Sequence, residues 1–172
     1  MDVVNEVLER YSAGAQDVQP ALCCPVQYDR RLLEALPQEI LERDYGCGDP
    51  SRYVREGDTV LDLGSGGGKI CYLAAQLVGP RGRVIGVDMN RDMLALARRH
   101  QDAVAARIGG DRVEFRRGRI EDLALDLDAL DAELARAPVH DVDGWARLAH
   151  WQATQRRERP LVADASVDLV VS

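Results

Sequence analysis

The 172-residue chain has no surplus of positive charge. Its 22 Lys and Arg stand against 29 Asp and Glu, a net charge of -7, with a pI near 5.0. That balance argues against a nucleic-acid backbone as partner. No apolar run approaches the ~20 residues that span a bilayer, and the acidic start Met1-Asp2-Val3-Val4-Asn5-Glu6 lacks the basic n-region and apolar core of a secretory leader. The chain therefore reads as soluble and cytoplasmic, with no membrane partner. Internal repeats and low-complexity tracts are also missing, so neither a solenoid nor a biased linker is expected. Cysteine is sparse: Cys23, Cys24, Cys47 and Cys71 form no Cys-x-x-Cys pair, and the histidines at 100, 140 and 150 are distant in sequence. Both a zinc site and a structural disulfide framework are disfavoured. What is present, 46% hydrophobic and 30% charged residues, suits about one domain with a core.

The most informative stretch is Thr59-Val-Leu-Asp-Leu-Gly-Ser-Gly-Gly-Gly-Lys69. Val60, Leu61 and Leu63 form the short apolar run of a strand buried on both faces. Gly64, Gly66 and Gly68 then let the backbone turn sharply and approach a ligand, and a helix is expected to open at about Lys69. The dinucleotide pattern Gly-x-Gly-x-x-Gly fails here: counted from Gly64 its last position is Lys69, and counted from Gly66 it is Cys71. What stands is Gly-x-Gly-x-Gly, with Ser65 inside the turn and Asp62 two residues before the first glycine. This resembles motif I of class I S-adenosylmethionine-dependent methyltransferases, in which Asp62 would hold the amino end of the methionine moiety.

A second strand, Arg83 to Val87, is followed by Asp88, about twenty residues beyond the turn, where an acid bridges ribose hydroxyls. Met89 beside it is placed to pack on an adenine face, and a helix over Arg91 to His100 turns Met93, Leu94 and Leu96 to the sheet. The third strand, Val113 to Arg116, leads into Gly118-Arg119-Ile120-Glu121-Asp122. In the methyltransferase pattern this end brackets the adenine, so Ile120 would stack and Glu121 or Asp122 would face the exocyclic amine. Three strand ends in this order predict an α/β, Rossmann-like doubly wound sheet with S-adenosyl-L-methionine as cofactor.

Four parts are expected along the chain. Residues 1-53 form a helical N-terminal segment, with Val3, Val4, Val7 and Leu8 at helical spacing and a second amphipathic stretch over 28-44. Residues 54-122 form the cofactor half. Residues 123-163 form a helical insert, too long for a plain loop. In it, Leu123 to Leu134 reads as one amphipathic helix ending near Pro138, and a second helix over Gly144 to Arg157 carries Trp145, Leu148 and Trp151 on one face, as a cap packed on the sheet or a lid over the site. Residues 164-172 begin strand four. A doubly wound sheet ending there leaves a buried central strand at its edge, so the chain reads as truncated after strand four.

Cys71, early in the helix after the turn, reads as a small buried core residue. The others differ: Cys23-Cys24 precedes Pro25 in a loop, and Cys47 lies in the glycine-flanked turn Tyr45-Gly46-Cys47-Gly48. These residues, with Asp17-Val18-Gln19, Leu61 to Gly66, Cys71-Tyr72, Gln76 to Gly79 and Gly86-Val87-Asp88-Met89, resemble the N-terminal portion of the arsenite methyltransferases. The resemblance runs to the third strand end and resumes at 168-172, leaving the insert outside it. It implies methyl transfer from S-adenosylmethionine to trivalent arsenic, As(III), held by Cys47 and by Cys23 or Cys24, in arsenic detoxification or organoarsenical synthesis. A thiol reductant, thioredoxin or glutathione, would restore the enzyme, and Tyr45 and Gly46 would close over the methionine part. Two departures stand out. Ile70 replaces the acid that the family places before Cys-Tyr, and the chain ends at Ser172 before the family's next cysteine, so the piece alone is expected to be inactive. Two alternatives stay open: a methyltransferase acting on another small molecule, and an inactive cofactor- or metalloid-binding fragment.

Overall fold

The computed structural model describes residues 3-19, 28-43, 45 and 48-172. Its framework is a four-stranded, all-parallel sheet in the order β3-β2-β1-β4, with β1 Thr59–Leu63, β2 Arg83–Asp88, β3 Val113–Arg117 and β4 Leu169–Val171. Around it stand α1 Val3–Gln16, α2 Arg30–Leu33, α3 Gln38–Glu42, α4 Lys69–Leu77, α5 Arg91–Ile108, α6 Leu127–Arg136 and α7 Val142–Glu158, with a 3-10 turn at Pro50–Tyr53. This is the Rossmann-like doubly wound arrangement expected from the order of strands and turns. Among the described residues no helix is long and apolar enough to cross a membrane.

Strand alternation divides the core in two. Val60, Val84, Val113, Phe115 and Val171 point to one face, where α4 and α5 cover them with Tyr72, Leu73, Leu94, Leu96 and Val104. Leu61, Ile85 and Val87 point to the other face, covered by Leu161 and Val162, with Leu123 and Val167 packed alongside. The segments flanking α6 and α7 thus roof the second face, while the two helices themselves bury little: Gly144 is the one buried residue of α7, and α6 has none.

Local chemistry explains where the elements differ from expectation. The leucine run does not form a single helix from Leu123. Arg119 and Asp122 make a bridge, Leu125 is buried, and α6 opens at Leu127 because the Asp126 carboxylate accepts the N–H groups of Asp128 and Ala129. α5 runs past His100 to Ile108 and stops at Gly109, which takes the left-handed conformation. The 28-43 stretch is two short helices, with Pro37 as the N-cap of the second. α7 matches the expected span within two residues, yet Trp145 is 65% exposed. Its apolar stripe is therefore not wholly core.

Candidate functional site

A cavity of about 530 Å³ opens where the chain leaves the C-terminal ends of the strands. Parallel sheets leave a crevice there, between loops that depart toward opposite faces. Asp62 near the end of β1, Gly64 to Gly67 in the turn and Asp88 to Asn90 at the end of β2 and just beyond it form its floor, while Gly118, Ile120 and Ser172 close its sides.

Asp88 ties the two strand ends together. Its Oδ2 accepts the Gly66 N–H at 2.8 Å and its Oδ1 accepts the Asn90 N–H at 2.8 Å. Burial pushes its carboxyl up from the ordinary range, against the pull of these backbone donors. With Met89 as a third backbone donor, the carboxylate retains acceptor capacity for a ligand hydroxyl. The buried Asp62 carboxylate accepts the Cys71 thiol, Sγ to Oδ2 3.2 Å. Burial and the neighbouring carboxylate hold that thiol well above its usual range, so it stays protonated as a donor. Ser65 Oγ is buried on the cavity wall without a hydrogen-bond partner among the described residues, and such a hydroxyl is poised to meet a ligand.

The upper wall comes from the N-terminal segment. Val7, Leu8 and Tyr11 of α1 line it, and Asn90 holds that helix in place, its Nδ2 donating to Leu8 O at 3.1 Å and to Ser12 Oγ at 3.0 Å. The Asn90 side-chain oxygen also caps α5, accepting from Asp92 and Met93 N–H. Tyr45 lines the cavity too; its hydroxyl donates to Gly14 O at 3.0 Å and accepts the Gln19 N–H at 3.2 Å. Lys69, 8% exposed on the same wall, places its ammonium 3.6 Å from the centre of the Tyr28 ring. The Tyr28 hydroxyl in turn donates to Gly48 O at 3.0 Å.

A model of the methyltransferase domain family matches residues 55-144, just over half of the chain. The chain belongs to the methyltransferase domain family. The chain is 44% identical over 115 residues to an arsenite methyltransferase of Aquipseudomonas alcaligenes, a match covering 64% of this chain and 33% of that protein. It is 37% identical over 134 residues to the arsenite methyltransferase of Mus musculus, covering 72% of this chain and 36% of the relative. Among solved structures it is similar to CrArsM, an arsenic (III) S-adenosylmethionine methyltransferase from Chlamydomonas reinhardtii, with 38% identity and a TM-score of 0.52 over 69% of this chain and 36% of that one. The chain spans about a third of the length of these relatives. The resemblance read from the motifs is thus matched by the methyltransferase domain's relatives.

Of the residues singled out from sequence, Tyr45, Asp62, Gly64, Ser65, Gly66, Asp88, Met89 and Ile120 come together on the cavity wall, Ile120 being 55% exposed there. Gly68 and Glu121 do not. Gly68 is buried between α4 and the sheet, where a Cβ would lie 2.6 Å from Phe115 Cζ, so this third glycine serves helix-to-sheet packing. Glu121 points to solvent and pairs with Arg119. Cys23, Cys24, Gly46 and Cys47 lie outside the described residues. Sequence reasoning passed over Asn90 and Lys69; an Asn directly before a helix is an N-cap signal that was available for the first.

Proposed function

We propose that this chain is the cofactor-binding portion of an S-adenosylmethionine-dependent arsenite methyltransferase. The cavity fits that cofactor in size and in the chemistry of its walls. Asp62 would hold the ammonium of the methionine part, and Asp88 the ribose hydroxyls through the lone pairs its backbone donors leave available. The Ser65 hydroxyl, without a partner among the described residues, offers a further hydrogen bond inside the turn, and Met89 and Ile120 supply apolar surface for the adenine. The bound cofactor supplies a methyl group made electrophilic by its sulfonium. The residues of this chain bind and orient donor and acceptor, which is most of what such a transfer requires.

As(III) is the substrate of this reading. It is soft and thiophilic, and three thiolates leave it one lone pair for the methyl group. The observation that carries the assignment is that Tyr45 and Gly48 both line the cofactor cavity, and Cys47 stands between them in sequence. Cys23 or Cys24 would be a second ligand, and a small thiol or thioredoxin-type reductant would return the thiolates after turnover.

The test is a titration of As(III) into reduced protein, following thiolate-to-arsenic absorbance in wild type, Cys23→Ser, Cys24→Ser and Cys47→Ser, with S-adenosylmethionine binding measured in parallel. Signal is expected to be lost in Cys47→Ser and in one of the other two, while cofactor affinity is retained. An unchanged signal in all three variants would remove arsenic from the assignment and leave a methyltransferase for another acceptor.

A further inference from the structure

Cys71 is buried, chemically capable and idle in the function just proposed. It is the third residue of α4, fully inaccessible to solvent. Its thiol donates to Asp62 Oδ2 at 3.2 Å. Three elements make that contact possible. β1 brings Asp62 opposite Gly86 of β2 in the parallel register, α4 crosses that face of the sheet, and Gly86 leaves room for the sulfur, since a Cβ there would lie 2.7 Å from Sγ. The carboxylate so held is only 4% exposed and lines the cavity. Ser65, three residues further along, also lines the cavity; it is 7% exposed and its hydroxyl has no partner among the described residues, an independent sign that the site is built for a polar ligand.

We propose that Cys71 is a positioning residue for cofactor binding: its S–H donates to Asp62 and fixes the carboxylate that meets the ammonium of S-adenosylmethionine. The inference rests on the cofactor reading above. A buried carboxylate accepts strong hydrogen bonds, and locking its rotamer before binding removes an ordering cost from association. The donor must remain protonated for this, and burial together with the Asp62 charge keeps the thiol so.

The experiment is calorimetric binding of S-adenosylhomocysteine to the full chain under reducing conditions. Cys71→Ala is expected to weaken binding about tenfold, whereas Cys71→Ser, which keeps a donor, stays within about threefold of wild type. A residue that only filled space would give the opposite order, because a serine hydroxyl is worse than a methyl in an apolar pocket. In the Asp62→Asn background, Cys71→Ala is expected to add less than about twofold. Serine no better than alanine, or full additivity with Asp62→Asn, would overturn the proposal. Should Cys71→Ala fail to fold, the S–H stretching band lost in Cys71→Ser identifies the thiol. That band is expected to shift in Asp62→Asn, and a fixed band would overturn the assignment. Absence of binding to wild type would overturn the cofactor reading and this inference together, while wild-type binding that Cys71→Ala leaves unchanged would overturn this inference alone.

Discussion

A side chain at residue 68 would meet two penalties at once. The backbone there holds φ at +85°, and a Cβ would lie 2.6 Å from Phe115 Cζ and 3.1 Å from Ala97 Cβ. The left-handed conformation costs an L-residue roughly 1-2 kcal/mol, and overpacking a tight site typically adds about 1-3 kcal/mol. Gly68→Ala is therefore expected to lower unfolding stability by roughly 2-5 kcal/mol, read as a reduced urea midpoint at unchanged slope. The glycine turn and both acids of the site are legible in sequence because strand, turn and helix follow one another within a few residues. The pairing of Cys71 with Asp62 is not. It depends on Gly86 lying opposite Asp62, and that register arises only when two separated segments pair.

Among the elements, α7 shows how far periodicity reaches. Trp145, Leu148 and Trp151 recur at helical spacing, and the helix forms where they predict it. Periodicity alone does not say what a stripe faces. Trp145 is exposed, Leu148 and Trp151 are half-buried, and the contacts that fasten this region to the sheet belong to Leu161 and Val162 beyond the helix end. Trp145→Ala is accordingly expected to change unfolding stability by less than about 0.5 kcal/mol, checked by denaturant titration. A core tryptophan would cost several times that. The same logic applies to α6, which ion pairs hold: Asp131 meets both Arg91 and Arg117, and Arg117 also reaches Asp128 at 3.3 Å. Charges spread over three elements leave no periodic mark in the sequence.

Across the whole molecule, one carboxylate gathers the charged ties between α3 and α5. Glu39 of α3 pairs with Arg43, with Arg99 of α5 at 3.1 Å and with His100 of α5 at 2.5 Å. The His100 hydrogen bond, with the arginines behind it, lowers the Glu39 pKa from its ordinary 4.5. A carboxyl depressed in the folded state contributes stability above its unfolded value, and that contribution is lost as pH falls through the folded value. Glu39→Gln should thus destabilise the protein by about 1 kcal/mol near neutral pH, partial exposure limiting the effect. The difference from wild type should fade once the pH drops below 4.5, measured by urea unfolding across an acid series. Gln76 donating to Leu32 O at 2.9 Å and Arg107 donating to Ala35 O at 3.1 Å add ties to backbone carbonyls that need no carboxylate and persist in acid. The placement of Lys69 has one more consequence. It is the single lysine among 22 basic residues, and it stands on the cavity wall under the Tyr28 ring. Amine-selective acylation therefore has one side chain in the folded protein to modify, and the modification rate becomes an occupancy gauge for the cavity without any engineered label.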